Sequence, residues 1–324
     1  MKFKNIKTDK TILLVGCGQI GFRHFESLLD NKFIENIDIL EKQKINKRIK
    51  SKINLNKNID INFLNNINSL KKNYDLVIFA TTSSNTFDIF YKLVKKCTIK
   101  NILFEKITFS ELHHYDMATK ILERKKINSW VNCSNAYQTY FLFLKKKIKT
   151  NKPFNLTINS MNDNFISNFI HLYDLFTNLS KRRKSKIILM DVYDFYKSKR
   201  QGYHDASGRC LIKDLNTNVL YLTSNVDKKF SFTQTFCLSQ GKNIFLCDID
   251  AHNVIINYYI NNKKFTKKFK HLYQSKLTSI ITNDIFNNEC KLINFYDYKN
   301  LQKEILLNVY KNIKDSNLMN VKFS

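Results

Sequence analysis

Three glycines, Gly16, Gly18 and Gly21, follow directly on the apolar run Thr11–Val15 and open a stretch with helical spacing. A strand turning sharply into a helix through Gly-x-Gly-x-x-Gly can cradle a pyrophosphate. The first glycine permits the tight turn, the second lets backbone approach the phosphates, and the third lets the helix pack on the strand. The helix start, from Gln19 and Ile20 onward, presents N–H groups to that anion. Glu41 closes the second apolar run 20 residues after Gly21, the offset at which a carboxylate accepts hydrogen bonds from a ribose. Such a carboxylate repels a 2′-phosphate, so NAD is favoured, while Lys42 and Lys44 keep NADP open. The three glycines are half of the six in the chain, which argues against an incidental turn.

Two further segments follow apolar runs, where ligands of doubly wound sheets bind. Ala80-Thr81-Thr82-Ser83-Ser84-Asn85 is small and polar: it could let a dinucleotide pass and bond its ribose or phosphates, or be a generic loop. Phe104-Glu105-Lys106 places a lysine where it could give a proton or hydrogen bond to a substrate oxygen. Later, Asn164, Ser167, His171, Asp174 and Asn178 recur at three- and four-residue steps, opposite Ile166, Phe169, Ile170, Tyr173 and Phe176. A His and an Asp at i and i+3 can exchange a proton with a hydroxyl, the Asp orienting the His. Taken alone, this stripe reads first as a solvated helix face with an incidental histidine.

The elements that carry these residues change character along the chain. Thr11–Val15, Ile37–Leu40, Ile59–Phe63, Leu76–Ala80, Ile102–Phe104 and Trp130–Cys133 read as strands separated by helical stretches, the mark of a parallel sheet. Tyr137, Tyr140, Phe141, Leu144 and Ile148 follow as one helical stripe, ended by the single proline, Pro153. Beyond it, Phe154–Ile158, Ile187–Met190, Val219–Leu222, Phe230–Phe232, Ile244–Cys247 and Val254–Ile260 read as strands with no helices between them. A helix over Ile166–Phe176 precedes most of them, and another over Leu301–Ile313 closes the chain. The expected fold class is α/β, an N-terminal Rossmann doubly wound parallel sheet and a C-terminal α+β domain with a large, mostly antiparallel sheet. The expected domains are residues 1–134, for the dinucleotide, and 135–324, for substrate binding and oligomerisation.

Together, GCGQIGFRH at residues 16–24, Ala80-Thr81 and Glu105-Lys106 resemble the glucose–fructose oxidoreductase/inositol dehydrogenase (Gfo/Idh/MocA) family. The family's usual Glu-Lys-Pro appears with Ile107 in place of Pro, and Thr86 stands where members often have His. Asn168-Phe169-Ile170-His171-Leu172-Tyr173-Asp174 resembles the family's His-x-x-Asp helix, with Ser167 and Phe169 in the family's Asp-x-Gly-x-His region. The resemblance implies a nicotinamide-dependent oxidoreductase with Lys106, His171 and Asp174 as catalytic residues. It also implies cofactor contacts from Glu105, substrate contacts from Lys106 and Asn168, and a homo-oligomer formed through the second sheet. Val131-Asn132-Cys133 and Ser198-Lys199-Arg200-Gln201-Gly202 resemble a subgroup of bacterial surface-polysaccharide biosynthesis, although Asn135 and Ala136 replace its basic residues. Lys199 and Arg200, in a segment bracketed by Gly202 and Gly208, would then bind a substrate carboxylate or phosphate; a solvated turn is the alternative. The expected substrate is a sugar or nucleotide-linked sugar. A non-catalytic dinucleotide sensor or scaffold on the same fold is the second reading.

Bulk properties set the outer bounds. The chain has 324 residues and a formal charge of +27, from 54 Lys+Arg against 27 Asp+Glu. Lys, Asn, Ile, Phe and Tyr are abundant, as A+T-rich coding produces, and runs such as Lys145–Lys147, Lys181–Lys184 and Lys263–Lys270 are scattered. The charge is therefore read as background, with no specific nucleic-acid partner expected. No run of about 18 apolar residues predicts a membrane span. The Met1–Lys10 stretch leads into a run too short for a signal-peptide core, so the cytoplasm is expected. Seven widely spaced cysteines without a CxxC pair suggest neither a zinc site nor a disulfide framework.

Overall fold

In a computed structural model, residues 9–42, 49, 52, 59–149, 151–181, 184–215, 217–227, 229, 231–313 and 322–323 are described. Lys44, Arg182, Arg183, Phe230 and most of the Met1–Lys10 stretch lie outside them. The chain divides into two compact units, Met1–Asn132 with Leu272–Phe295, and Cys133–His271 with Tyr296–Ser324. The expected boundary at 134/135 assigns residues 272–295 to the C-terminal part. In the structure this segment joins the first unit.

Among the described residues the first unit is built on six parallel strands: β1 (Lys10–Val15), β2 (Ile34–Leu40), β3 (Asp60–Leu64), β4 (Asn73–Phe79), β5 (Thr98–Phe104) and β6 (Asn128–Val131). Their order, β3-β2-β1-β4-β5-β6, is that of a doubly wound dinucleotide-binding sheet. Ile12, Leu13 and Leu14 are all fully buried, so the strand reads as a continuous apolar run covered on both faces. Helices α1 (Gln19–Leu28), α2 (Ser83–Lys96) and α3 (Leu112–Arg124) connect the strands. Aromatic rings fill the space beside β4 and β5: Phe79 stacks on Phe104 at 5.1 Å, with Phe90 and Phe109 edge-on to Phe104. In the returning segment, α6 (Gln274–Phe286) packs against α1, where Ser279 N donates to Ser27 Oγ and Asn31 Nδ2 to Asn283 Oδ1.

The second unit begins with α4 (Thr139–Lys147), which buries the Tyr140, Phe141 and Leu144 stripe. Among the described residues its sheet has nine strands: β7 (Asn155–Met161), β8 (Ser185–Lys197), β9 (Tyr203–Asp214), β10 (Val219–Asn225), β11 (Thr233–Gln240), β12 (Asn243–Ile249), β13 (Asn253–Ile260), β14 (Lys263–Lys270) and β15 (Lys322–Phe323). Most pairs are antiparallel; β10 with β7 and β15 with β9 are parallel. Along β7, Leu156, Ile158 and Ser160 are buried while Asn155 and Asn159 are exposed, the alternation of a sheet covered on one face. Helix α5 (Phe165–Leu179) lies on β9 and β10, and α7 (Phe295–Asn312) begins six residues before the helix expected from the sequence. The Phe230–Phe232 alternation precedes its strand: β11 starts at Thr233 and turns Gln234, Phe236 and Leu238 inward. Among the described residues no helix is long and apolar enough to cross a membrane.

Candidate functional site

In the first unit the candidate residues line the carboxyl ends of the parallel strands. Five of the six strands hand their hydrogen-bond ladder to the residue beyond them. Gly16 N donates to Leu40 O, Glu41 N to Leu64 O, Ala80 N to Val15 O, Glu105 N to Phe79 O and Asn132 N to Phe104 O. Gly16, Glu41, Ala80 and Glu105 are thereby set along one edge of one sheet, where an open α/β fold binds its ligand.

At that edge the glycine loop has the shape its spacing predicts. Gly16 sits at φ +86°, a conformation side chains rarely adopt. A methyl group on Gly21 would lie 2.2 Å from Gly16 O, so only hydrogen fits between loop and helix. Gly18 differs: a methyl group there would meet nothing within 4 Å. It is the N-cap of α1, no side chain caps that helix, and its first turn has no acidic residue. Gln19 and Ile20 begin the helix, whose first N–H groups have no partner within it. The open space at Gly18 and the uncapped helix end together fit a pyrophosphate.

Glu41 Oε2 accepts from Cys17 N at 2.8 Å, so the carboxylate is held against the glycine loop. Burial, with the Glu41 charge beside it, pushes the Cys17 thiol up to about 12, which leaves it protonated and unsuited to act as a nucleophile. Beyond β4, Thr82 is the N-cap of α2, Thr81 Oγ1 bonds Thr86 Oγ1 at 2.9 Å, and Asn85 is exposed in the first turn. Thr86 is buried and also donates to Thr82 O, so it braces this turn.

Glu105, which the resemblance gives a cofactor contact, has one carboxylate oxygen engaged within the first unit. Its Oε1 accepts from His24 Nε2 at 2.8 Å and from Asn132 Nδ2, both within the first unit. The carboxylate thus faces a buried polar network. Lys106, the next residue, is half-buried at the tip of the turn, and its peptide bond to Ile107 is cis. His24, Asn132, Gln274 and Thr278 take part in the network, and no spacing pattern in the sequence singles any of them out for it. The one available signal is His24, inside the GCGQIGFRH segment.

In the second unit, α5 carries Asn168, His171 and Asp174. The alternative of a solvated stripe does not hold. Ser167, Asp174 and Asn178 are buried, and only Asn168 and His171 keep partial exposure. Asn178 Oδ1 accepts from Lys145 Nζ at 2.6 Å, while Asn168 Nδ2 donates to the Asp163 carbonyl and carboxylate. Asn164 lies outside the helix, as its left-handed N-cap at φ +50°. Asn135 Nδ2 donates to His171 O at 3.2 Å, tying the helix to the turn before α4.

The amino terminus of α5 is capped from a distant strand. Asp205, on β9, accepts from Ile166 N at 2.8 Å and Ser167 N at 3.2 Å, and burial pushes its carboxyl up. Asp205→Ala is expected to lower stability by about 2–4 kcal/mol, because it removes a cap and leaves buried N–H groups unpaired. Urea denaturation would measure the loss; unchanged stability would remove Asp205 from the support of this helix.

Lys199 and Arg200 occupy the exposed hairpin turn between β8 and β9, closed by Ser198 N to Tyr203 O at 2.9 Å and Tyr203 N to Arg200 O at 3.1 Å. The Arg200 guanidinium lies 5.6 Å from the Tyr203 ring centroid. Gly208 does not bracket this segment. It lies within β9, where a methyl group would come 2.4 Å from the Phe165 ring. Among the described residues no group of His, Cys, Asp and Glu side chains could hold a metal ion.

No protein-family sequence model matches the chain. No curated protein matches it in sequence. Solved structures do match in fold. A dehydrogenase (MviM) from Clostridium difficile aligns at TM-score 0.71 and 14% identity, over 95% of this chain and 100% of that one. A super-repressor mutant of Gal80p from Saccharomyces cerevisiae aligns at TM-score 0.74 and 14% identity, over 94% and 96%. UDP-N-acetylglucosamine 3-dehydrogenase GnnA from Acidithiobacillus ferrooxidans aligns at TM-score 0.71 and 11% identity, over 92% and 96%. The fold is that of Gfo/Idh/MocA-type dehydrogenases, across nearly the whole chain.

Proposed function

We propose that the chain is a nicotinamide-dependent oxidoreductase acting on a secondary alcohol or ketone of a sugar or nucleotide-linked sugar. The observation that carries this reading is the edge of the first sheet. There an open, uncapped Gly18 loop lies in line with Glu41, the Ala80–Asn85 turn and the turn bearing Lys106. When bound, the dinucleotide supplies the ring carbon that gives or takes hydride. The chain's own residues do the rest. The Gly16–Gly21 loop and the start of α1 hold the pyrophosphate, Glu41 accepts from the adenosine ribose, and Thr81, Thr82 and Asn85 bond along the dinucleotide. Lys106 polarises the substrate oxygen, while His171, oriented by Asp174, exchanges the hydroxyl proton. Asn168, Lys199 and Arg200 are assigned to substrate contacts.

The finer reading places this activity in the cytoplasm and in surface-glycan biosynthesis. It also has copies of the chain associating through the open face of the second sheet. On that face Tyr221, Thr157, Cys237 and Leu246 lie in register across four strands, and Tyr221, Cys237 and Leu246 are exposed.

Calorimetry with NADH and NADPH tests the cofactor assignment. Micromolar binding is expected, with NADH preferred, and Glu41→Ala should narrow that preference by about tenfold, equivalent to about 1.4 kcal/mol. Absence of binding to either dinucleotide would end the proposal. Mass spectrometry of small molecules carried through native purification addresses the sugar. The second reading, a dinucleotide-bound sensor or scaffold, is favoured by the likeness to the Gal80p super-repressor mutant and by the Ile107 and Asn135-Ala136 replacements. A bound dinucleotide that never changes redox state with any sugar would select it.

A further inference from the structure

Behind the Lys106 turn lies a hydrogen-bonded network that the proposed chemistry does not use directly. His24, on α1, has no exposed side-chain surface. Its Nε2 lies 2.8 Å from Glu105 Oε1, and its Nδ1 lies 2.9 Å from Thr278 Oγ1 on α6. Asn132 Nδ2 donates to the same Glu105 oxygen and to Gln274 Oε1, and Gln274 Nε2 donates to Thr278 Oγ1 at 2.8 Å. A loop of side chains thus joins the fingerprint helix, the ends of β5 and β6, and the returning helix, all in the first unit.

The donor and acceptor roles in this loop are constrained. A carboxylate oxygen only accepts, so His24 Nε2 carries the proton that it shares with Glu105. Asn132 gives its amide N–H groups to two acceptors, which fixes the orientation of that amide. Replacing a buried His–carboxylate pair with well-packed apolar groups usually costs little stability. What such a pair defines is one geometry for the groups attached to it. The attached group here is the backbone of Glu105, one residue before Lys106. That backbone is held on both sides, by Glu105 N to Phe79 O at 2.9 Å and by Thr108 Oγ1 to Glu105 O at 3.1 Å. Neither bond fixes the direction of the Glu105 side chain; its contacts with His24 and Asn132 do.

We infer that His24 is a positioning residue: through Glu105, and backed by Thr278, it fixes the turn that presents Lys106 to a bound nicotinamide dinucleotide and its substrate. This rests on the proposed function. It adds that the fingerprint helix, besides holding phosphate, sets the placement of the proton-handling lysine. Outer groups that orient reacting side chains act in this way without touching the substrate.

The test reads Lys106 directly. The full-length protein is trace-acetylated with acetic anhydride, with and without NADH, and modification at Lys106 is quantified by mass spectrometry beside calorimetric NADH binding. In the wild type, NADH should protect Lys106 at least about threefold. In His24→Leu, NADH should bind within about threefold of wild type, a difference under 1 kcal/mol, while protection of Lys106 is lost. His24→Gln, which keeps an N–H donor near Glu105, should restore it. Full protection in His24→Leu would overturn the inference and leave the proposed function standing. So would loss of NADH affinity in parallel with protection, which would make His24 a plain support of the helix. A wild type that binds no NADH, or binds it without protecting Lys106, would instead count against the proposed function. If His24→Leu does not fold, Thr278→Val takes its place, with the same readouts and the same results for and against.

Discussion

Gly21→Ala is expected to destabilise the protein by at least about 3 kcal/mol or prevent its folding, whereas Gly18→Ala is expected to fold like wild type and bind NADH at least about tenfold more weakly. The two glycines stand three residues apart in one motif, yet their surroundings differ. The atoms a new Gly21 methyl would meet, Gly16 O at 2.2 Å and Gly16 C at 3.0 Å, belong to the backbone of a turn already held at φ +86°. Neither can rotate away as a side chain would, so the helix must separate from the strand. At Gly18 the backbone has φ −67° and ψ −157°, outside the left-handed region that favours glycine, and the added methyl meets no protein atom. It would meet a pyrophosphate lying on the start of α1. Thermal unfolding and NADH titration of both variants separate the two effects. Should Gly18→Ala bind NADH as wild type does, the phosphates do not lie against that loop. Should Gly21→Ala be as stable as wild type, the close approach of helix and strand is wrong.

This contrast also shows how unevenly the sequence discloses the structure. The first sheet is legible because a strand covered on both faces needs an unbroken apolar run, as Ile12–Val15 and Leu76–Phe79 have. Gly-x-Gly-x-x-Gly and Glu41 are legible because their geometry is set by spacing along the chain. The β8–β9 hairpin is not. Its pairing register shifts between Ile187 and Leu189 and again between Tyr193 and Tyr196, so the period of two never persists along β8. That is why, in the sequence, the turn at Lys199–Gly202 and the strand position of Gly208 read as one loop. Helix α6 is hidden for a different reason. Its buried face is Leu277, Thr278, Ile281, Thr282 and Ile285, and two threonines in five positions conceal the stripe from a count of apolar residues. Contacts that join distant parts of the chain are out of reach altogether. His24 meets a residue 254 positions away, and Asp205 caps a helix 39 positions before it. Glu105 suggests a cofactor contact because it follows a strand; its partners, His24 and Asn132, come from two other elements.

Lys106→Met is expected to lower kcat/KM by about 10²–10⁴ while NADH binding stays within about threefold of wild type. Methionine keeps the length and the apolar stem of the side chain but has no proton to give and no charge to set against a developing alkoxide. The backbone that carries it is fixed by bonds methionine does not alter: Glu105 N to Phe79 O, Thr108 Oγ1 to Glu105 O, and Glu105 Oε1 with His24 and Asn132. The substitution therefore removes chemistry and leaves the turn in place, which is why cofactor affinity should survive it. Arginine is not a neutral control at this position, since a guanidinium stays protonated and cannot pass a proton on. The assay follows dinucleotide absorbance with a panel of sugars that includes myo-inositol and UDP-N-acetylglucosamine. Comparison with His171→Asn, under the same conditions, separates the two proposed proton-handling residues. Removing either of two groups that act as a unit costs about as much as removing both, so if the lysine and the histidine pass one proton between them the double variant should fall little below the singles. If Lys106→Met turns over as wild type does, the lysine after the fifth strand has no part in the reaction. If the singles and the double variant lose activity additively, Lys106 and His171 contribute independently and are not a coupled pair.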